Sequence, residues 1–274
     1  MEEGPGERPR GDATRSAAAG PVEFFTWTHQ KARSLARSQS GASNCGATAL
    51  WNVLAALEVP TPDMDAAERA VRTNSRRHGV PVSRYLAARS EAGTTAEAIV
   101  EGVSAVAGSQ VESRFFAFYP PREVNLQGWL ASWLSQGCSA IATLNTQRMY
   151  SADYWHHQMV FGVSDAGVAV TNGIETLAFD DILVGLESPS VLQIARRDAL
   201  RCEPFDAEAC SGLGKEWARM GVARQLLELQ SGESKAEYVY IPAAYNAGIT
   251  VFARAGSPAS DALRRAADLP LREA

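Results

Sequence analysis

The sequence predicts an α+β protein, with helices from the first half packed on an antiparallel sheet from the second half. Three observations carry that expectation. Apolar residues recur at helical spacing between residues 45 and 136. Short β-prone runs separated by turn residues follow between 139 and 195. Two of those runs are joined by Ser164-Asp165-Ala166-Gly167, a hairpin turn that makes its strands antiparallel.

Composition sets the frame. The chain has 274 residues, 46% hydrophobic and 21% charged, enough for one large domain or a domain with an appended subdomain. A formal net charge of -5 recommends neither a nucleic-acid nor an acidic-membrane partner. No apolar run reaches the length of a membrane span. The N-terminus begins acidic and lacks a signal-peptide core, so a cytoplasmic location is the expectation. Four cysteines (Cys45, Cys138, Cys202, Cys210) are too few for a disulfide scaffold, and no C-x-x-C pair suggests zinc. Cys202 and Cys210 read more simply as reduced thiols than as a bridge. No metal, nucleotide or phosphate motif is present, so no cofactor is expected.

The elements follow in order. Residues 1–20 are rich in Gly, Pro, Arg, Glu and Ala and read as a disordered tail, with order beginning near Val22–Trp27. A catalytic domain is expected over 21–200. Leu50, Val53, Leu54 and Leu57 mark a buried helix that starts at Cys45 and ends before Pro60 and Pro62. A second helix is expected over 64–77, with the charged stretch 68–77 on its solvated face. Thr94 and Glu97 form a capping-box pattern ahead of a third helix. A fourth, over 123–136, carries Leu126, Trp129, Leu130, Trp133 and Leu134 and stops at Gly137. Trp51, Trp129, Trp133 and Cys138 read as packing. Strands are expected at 139–144, 158–163, 167–171 and 191–195. Residues 201–274 form either a C-terminal extension or extra strands and helices on the same domain. They offer a helix at 213–230, a hairpin of 238–241 against 249–252, and a short terminal helix.

Chemistry enters at Cys45. A thiolate is the reactive form of cysteine, and a helix N-terminus favours it through unpaired N–H groups and the helix dipole. Gly46 allows close backbone approach. Of four histidines, His156 and His157 begin a strand, and the strand after the Ser164–Gly167 turn ends at Thr171-Asn172-Gly173. In such a hairpin a His at the start and an Asn at the end lie side by side, so Asn172 can orient the imidazole. Adjacent strand residues face opposite ways, so one of His156 and His157 turns from Cys45. Asn172-Gly173 is also readable as a plain turn.

The segment Gln39-Ser40-Gly41-Ala42-Ser43-Asn44-Cys45-Gly46-Ala47 resembles the nucleophile segment of papain-like cysteine peptidases. It is closest to the domains that cleave double-glycine leaders of bacteriocins. Gln39 stands six positions before Cys45, the spacing of the oxyanion-hole glutamine in both groups. Gly162 and Asn172 follow His156 by six and sixteen positions, as in both groups, and His157 fits neither gap. The resemblance covers about residues 35–185. It implies a papain-like fold, a Cys45 nucleophile, His156 as general base, Asn172 orienting that ring, and Gln39 in the oxyanion hole. It further implies a peptide or protein substrate cleaved at a peptide or isopeptide bond. A thiol acyltransferase with the same triad, or a papain-like binding module without activity, is the alternative. Asn44 stands where the leader peptidases carry an acid and Asn172 where they usually carry Asp, so double-glycine specificity is not carried over.

Overall fold

The computed structural model describes residues 23–150 and 154–273. The tail expected at 1–20 lies outside the described residues.

Strand β1 (Phe24–Phe25) leads into α1 (His29–Leu35) and then α2 (Cys45–Ala56). Three further helices follow: α3 (Met64–Ala70), α4 (Val82–Glu91) and α5 (Ala96–Ala107). Strand β2 (Val111–Ala117) precedes α6 (Leu126–Leu134). Next come β3 (Ser139–Asn145), α7 (Thr146–Tyr150), β4 (Trp155–Ser164), β5 (Gly167–Val170) and β6 (Glu175–Leu177). Helix α8 (Phe179–Leu186), strand β7 (Val191–Ala195) and α9 (Arg196–Ala199) follow. The chain then runs through α10 (Lys215–Arg219), α11 (Val222–Ser231), β8 (Tyr238–Pro242), β9 (Gly248–Arg254) and α12 (Pro258–Arg265).

The main sheet is antiparallel, in the order β2-β9-β3-β4-β5-β6, with β1 also paired to β4. Its β4–β5 turn pairs Ser164 with Gly167, as the sequence predicts. Helices cover both faces. Leu50, Val53 and Leu54 of α2 share a core with Met159 and Phe161 of β4 and Phe252 of β9. On the opposite face Leu130 and Leu134 of α6, Ile182 of α8 and Leu263 of α12 pack on Val160, Val170 and Val251. Full burial of one such aliphatic side chain contributes about 1.5–3 kcal/mol, so the two cores fix the sheet between its helical layers.

Several expectations are corrected. Helix α3 ends at Ala70, and Arg72 takes a left-handed φ of 52°. Residues 72–81 therefore form a loop tied back by an Asn74–Gly93 bridge, not the last turns of a helix. The cap of α5 is Thr95, whose side chain accepts from Ala98 N–H; the Thr94 hydroxyl instead donates to the Val71 carbonyl. The helix expected at 213–230 is broken at Gly221, whose φ is 61°. The 238–241 and 249–252 runs do not pair with each other. β8 pairs with β7, whereas β9 inserts between β2 and β3. Residues 201–274 thus supply an interior strand of the main sheet, because β9 hydrogen-bonds to β2 on one side and β3 on the other.

The small β7–β8 sheet carries its own core, including Leu192, Ile194, Trp217, Leu226 and Ile241. Side-chain amides close both of its edges. Gln147 Nε2 donates to the Gln193 carbonyl at 2.7 Å, and Gln147 Oε1 accepts from Gln193 N–H at 2.8 Å. Gln225 makes the same pair with Tyr240 at 3.1 and 2.9 Å. Each amide replaces a strand neighbour and blocks further pairing. All four cysteines are free, Cys202 and Cys210 included. Among the described residues no helix is long and apolar enough to cross a membrane.

Candidate active site

Cys45 is the first residue of α2 and is buried. The loop before it is held by Asn44, whose Oδ1 accepts from Gly41 N–H at 3.1 Å and whose Nδ2 donates to Ser40 Oγ and Glu68 Oε1 at 2.8 and 3.0 Å. Further back, buried Asn52 of α2 grips the Arg37 backbone, accepting from its N–H at 2.8 Å and donating to its carbonyl at 3.2 Å. Gly46 is required sterically. A Cβ there would stand 2.0 Å from Thr94 Cγ2.

The two adjacent histidines differ in kind. His157 lies opposite Thr143 in the β3–β4 register, with its Cδ2 beside Gly46 of α2. Its Nε2 lies 2.8 Å from the Thr94 carbonyl and its Nδ1 3.0 Å from Thr143 Oγ1. A carbonyl only accepts, so Nε2 carries the proton and Nδ1 accepts from the threonine hydroxyl. Both nitrogens are thereby used. His156, opposite Leu144, is also buried but makes no ring hydrogen bond among the described residues. Its ring stands edge-on to Tyr154, 5.6 Å between centroids.

One cavity collects Gln39, Cys45, Thr48, His156, His157 and Asn172 among its lining residues. All four residues singled out from the sequence therefore meet around one hollow. Gln39 is exposed and gives one amide N–H to the Gly41 carbonyl, which leaves the other for the cavity. Asn172 is exposed in the turn after β5 rather than at a strand end, and no hydrogen bond joins it to His156. The buried Thr48 hydroxyl has no hydrogen-bond partner among the described residues.

Burial dominates the titrations. The Cys45 thiol is raised above its usual range by desolvation. The backbone N–H groups of His157, Gly46 and Cys45 and the charge of Arg76 act the other way but do not prevail. The helix start favours the thiolate, as expected, but the same packing that seats Cys45 removes its water. His156 is lowered to about 4 by burial and by His157, and His157 to about 4 by burial against the pull of the Thr94 carbonyl and Glu97. At neutral pH the thiol is therefore protonated and both imidazoles are neutral.

A second cavity also borders Cys45 and is lined by Arg76, Arg89, Thr94, Tyr154, Trp155, His157 and Tyr245 among others. Tyr245 stacks on Trp155 at 5.5 Å, and burial followed by the nearby Cys45 raises its hydroxyl above the usual range. No motif in the sequence singles out Arg76, Arg89 or Tyr245. Their positions depend on the 72–81 loop, on α4 and on the segment between β8 and β9. Thr143 and Asn52 carry no motif either, although both hold the site. No family model matches the chain, and no curated protein matches it.

Proposed function

We infer that the chain is a thiol hydrolase of papain-like fold that cleaves peptide or isopeptide bonds through Cys45. The observation that carries this reading is the convergence of Gln39, Cys45, His156 and Asn172, from segments more than a hundred residues apart, on one cavity. The starting state is neutral. As the Cys45 sulfur attacks the carbonyl carbon, its proton passes to the His156 imidazole, whose ring makes no hydrogen bond among the described residues. The oxyanion is met by the second Gln39 amide N–H and by the Cys45 backbone N–H. Collapse breaks the C–N bond, and the leaving amine takes the proton from His156. Water, activated by the same imidazole, then releases the acyl group from sulfur. Asn172 orients the ring by a hydrogen bond that forms when substrate fills the cavity, since catalytic bonds often tighten only in the complex.

The absent Asn172–His156 bond and the raised thiol favour the second reading, a binding module of the same fold without activity. One experiment separates the two. A peptidyl vinyl sulfone needs an acid–base partner to add efficiently to a buried thiol. Mass spectrometry should find a single adduct at Cys45, lost in His156→Gln. An adduct formed equally fast without His156, or none in the wild type, sinks the hydrolase.

A further inference from the structure

Tyr245, in the segment between β8 and β9, is only 4% exposed and lines the second cavity with Cys45, Gly93, Thr94, Trp155 and His157. Its ring is fixed in place. It stacks on Trp155 with 20° between the planes and stands edge-on to His157 at 6.3 Å. The hydroxyl is the end that meets the cavity: a Cβ on Gly93 would stand 3.1 Å from Tyr245 Oη, and the phenol senses the charge of Cys45 on the same lining. Among the described residues that hydroxyl makes no hydrogen bond. Two lining carbonyls are engaged elsewhere, Gly93 by the Asn74 N–H at 2.7 Å and Thr94 by His157 Nε2 at 2.8 Å. The Cys45 sulfur is met instead by the backbone N–H groups of His157, Gly46 and Cys45. A buried donor without an acceptor costs about 1–3 kcal/mol, so this hydroxyl is best satisfied by an acceptor that a ligand brings.

We propose that Tyr245 binds substrate, its hydroxyl donating a hydrogen bond to a main-chain carbonyl of the peptide that lies across Cys45. The assignment deepens the hydrolase reading and rests on it. Cys45 and His157 are the two residues that line both hollows. A peptide with its scissile carbonyl beside Gln39 and His156 therefore reaches Tyr245 with its flanking residues across that shared wall. Burial, and after it Cys45, raises the phenol above its usual range, so it stays protonated at working pH. A protonated phenol donates to a carbonyl, which every peptide residue carries. The contact thus fixes where the main chain lies, whatever side chains it bears. Because the ring is already held by Trp155, little side-chain freedom is lost on binding.

The test is Tyr245→Phe in the full chain, which keeps the ring on Trp155 and removes the hydroxyl alone. The probe is the fastest of a set of acetyl-tripeptide vinyl sulfones, with KI and kinact separated by intact-mass kinetics. The variant should melt with the wild type and raise KI roughly three- to tenfold, the loss of one hydrogen bond to a neutral acceptor, with the effect falling on KI rather than kinact. Thiocarbonyl is a weaker acceptor than carbonyl. Replacing the amide carbonyls of the probe by it, one at a time, should raise KI at one position in the wild type and not in Tyr245→Phe. Iodoacetamide, too small to span both hollows, should label Cys45 equally fast in the two proteins. An unchanged KI, or coupling at no position, overturns the proposal. A changed iodoacetamide rate also overturns it, by placing the hydroxyl on the sulfur, and an earlier melt does so by making the hydroxyl a fold contact. A wild type that forms no His156-dependent adduct removes the hydrolase and this assignment together. A His156-dependent adduct with the same KI in Tyr245→Phe removes this assignment alone.

Discussion

Neighbouring histidines with opposite duties give the sharpest prediction. His157→Leu deletes the bonds to the Thr94 carbonyl and the Thr143 hydroxyl, at 2.8 and 3.0 Å, in a site where the imidazole is 3% exposed. Each buried group left without a partner costs about 1–3 kcal/mol, so the variant should lose roughly 2–6 kcal/mol of a total stability on the order of 5–15 kcal/mol. For a chain of this size that corresponds to a melting midpoint lower by roughly 4–24 °C. His156→Gln removes no ring hydrogen bond among the described residues and should cost less stability than His157→Leu, yet it should abolish addition of the vinyl sulfone to Cys45. Calorimetry and intact-mass measurement on both variants read the two effects separately. A His157→Leu protein that melts with the wild type refutes the division of duties. So does a His156→Gln protein that melts as early as His157→Leu.

Four further predictions follow from the same geometry. Because both imidazoles are lowered from 6.5 to about 4, the unfolded chain protonates first on acidification. Stability should therefore be full above about pH 6.5 and fall as pH drops through about 4; urea midpoints that stay flat across that window contradict it. The raised Cys45 thiol means that the protonated form predominates at pH 7, so iodoacetamide labelling should climb about tenfold per pH unit between roughly 6 and 8. A rate plateau reaching down to pH 6 would show a preformed ion pair instead. Gly46→Ala should cost about 1–3 kcal/mol by driving a Cβ into Thr94 Cγ2, and Thr94→Ser, which keeps the hydroxyl but drops that methyl, should restore part of the loss in denaturant titrations. Asn52→Ala frees the Arg37 backbone and should slow adduct formation at Cys45 far more than it lowers the melting temperature; an unchanged rate would mean that the Gln39 loop holds its place without Asn52.

The sequence by itself determined what depends on near neighbours. Helix α2 is written in Leu50, Val53 and Leu54, α6 in Leu126, Leu130 and Leu134, and the β4–β5 hairpin in Ser164–Gly167. Periodicity of this kind needs only the backbone repeat and one apolar side. The spacing of Gln39, Cys45, His156 and Asn172 marked out the residues that line one cavity. Tertiary structure decided what depends on distant partners. Strand β9 sits inside the sheet because β2 and β3 flank it, although both precede it by more than a hundred residues. His157 is held by Thr94 and Thr143, which no local pattern joins to it. Arg76 leaves the expected helix and reaches the Cys45 cavity because the chain turns at Arg72. The titration of Cys45 was likewise a tertiary outcome: the helix start favours charge, but the enclosing packing sets how much water the sulfur keeps, and here desolvation prevails.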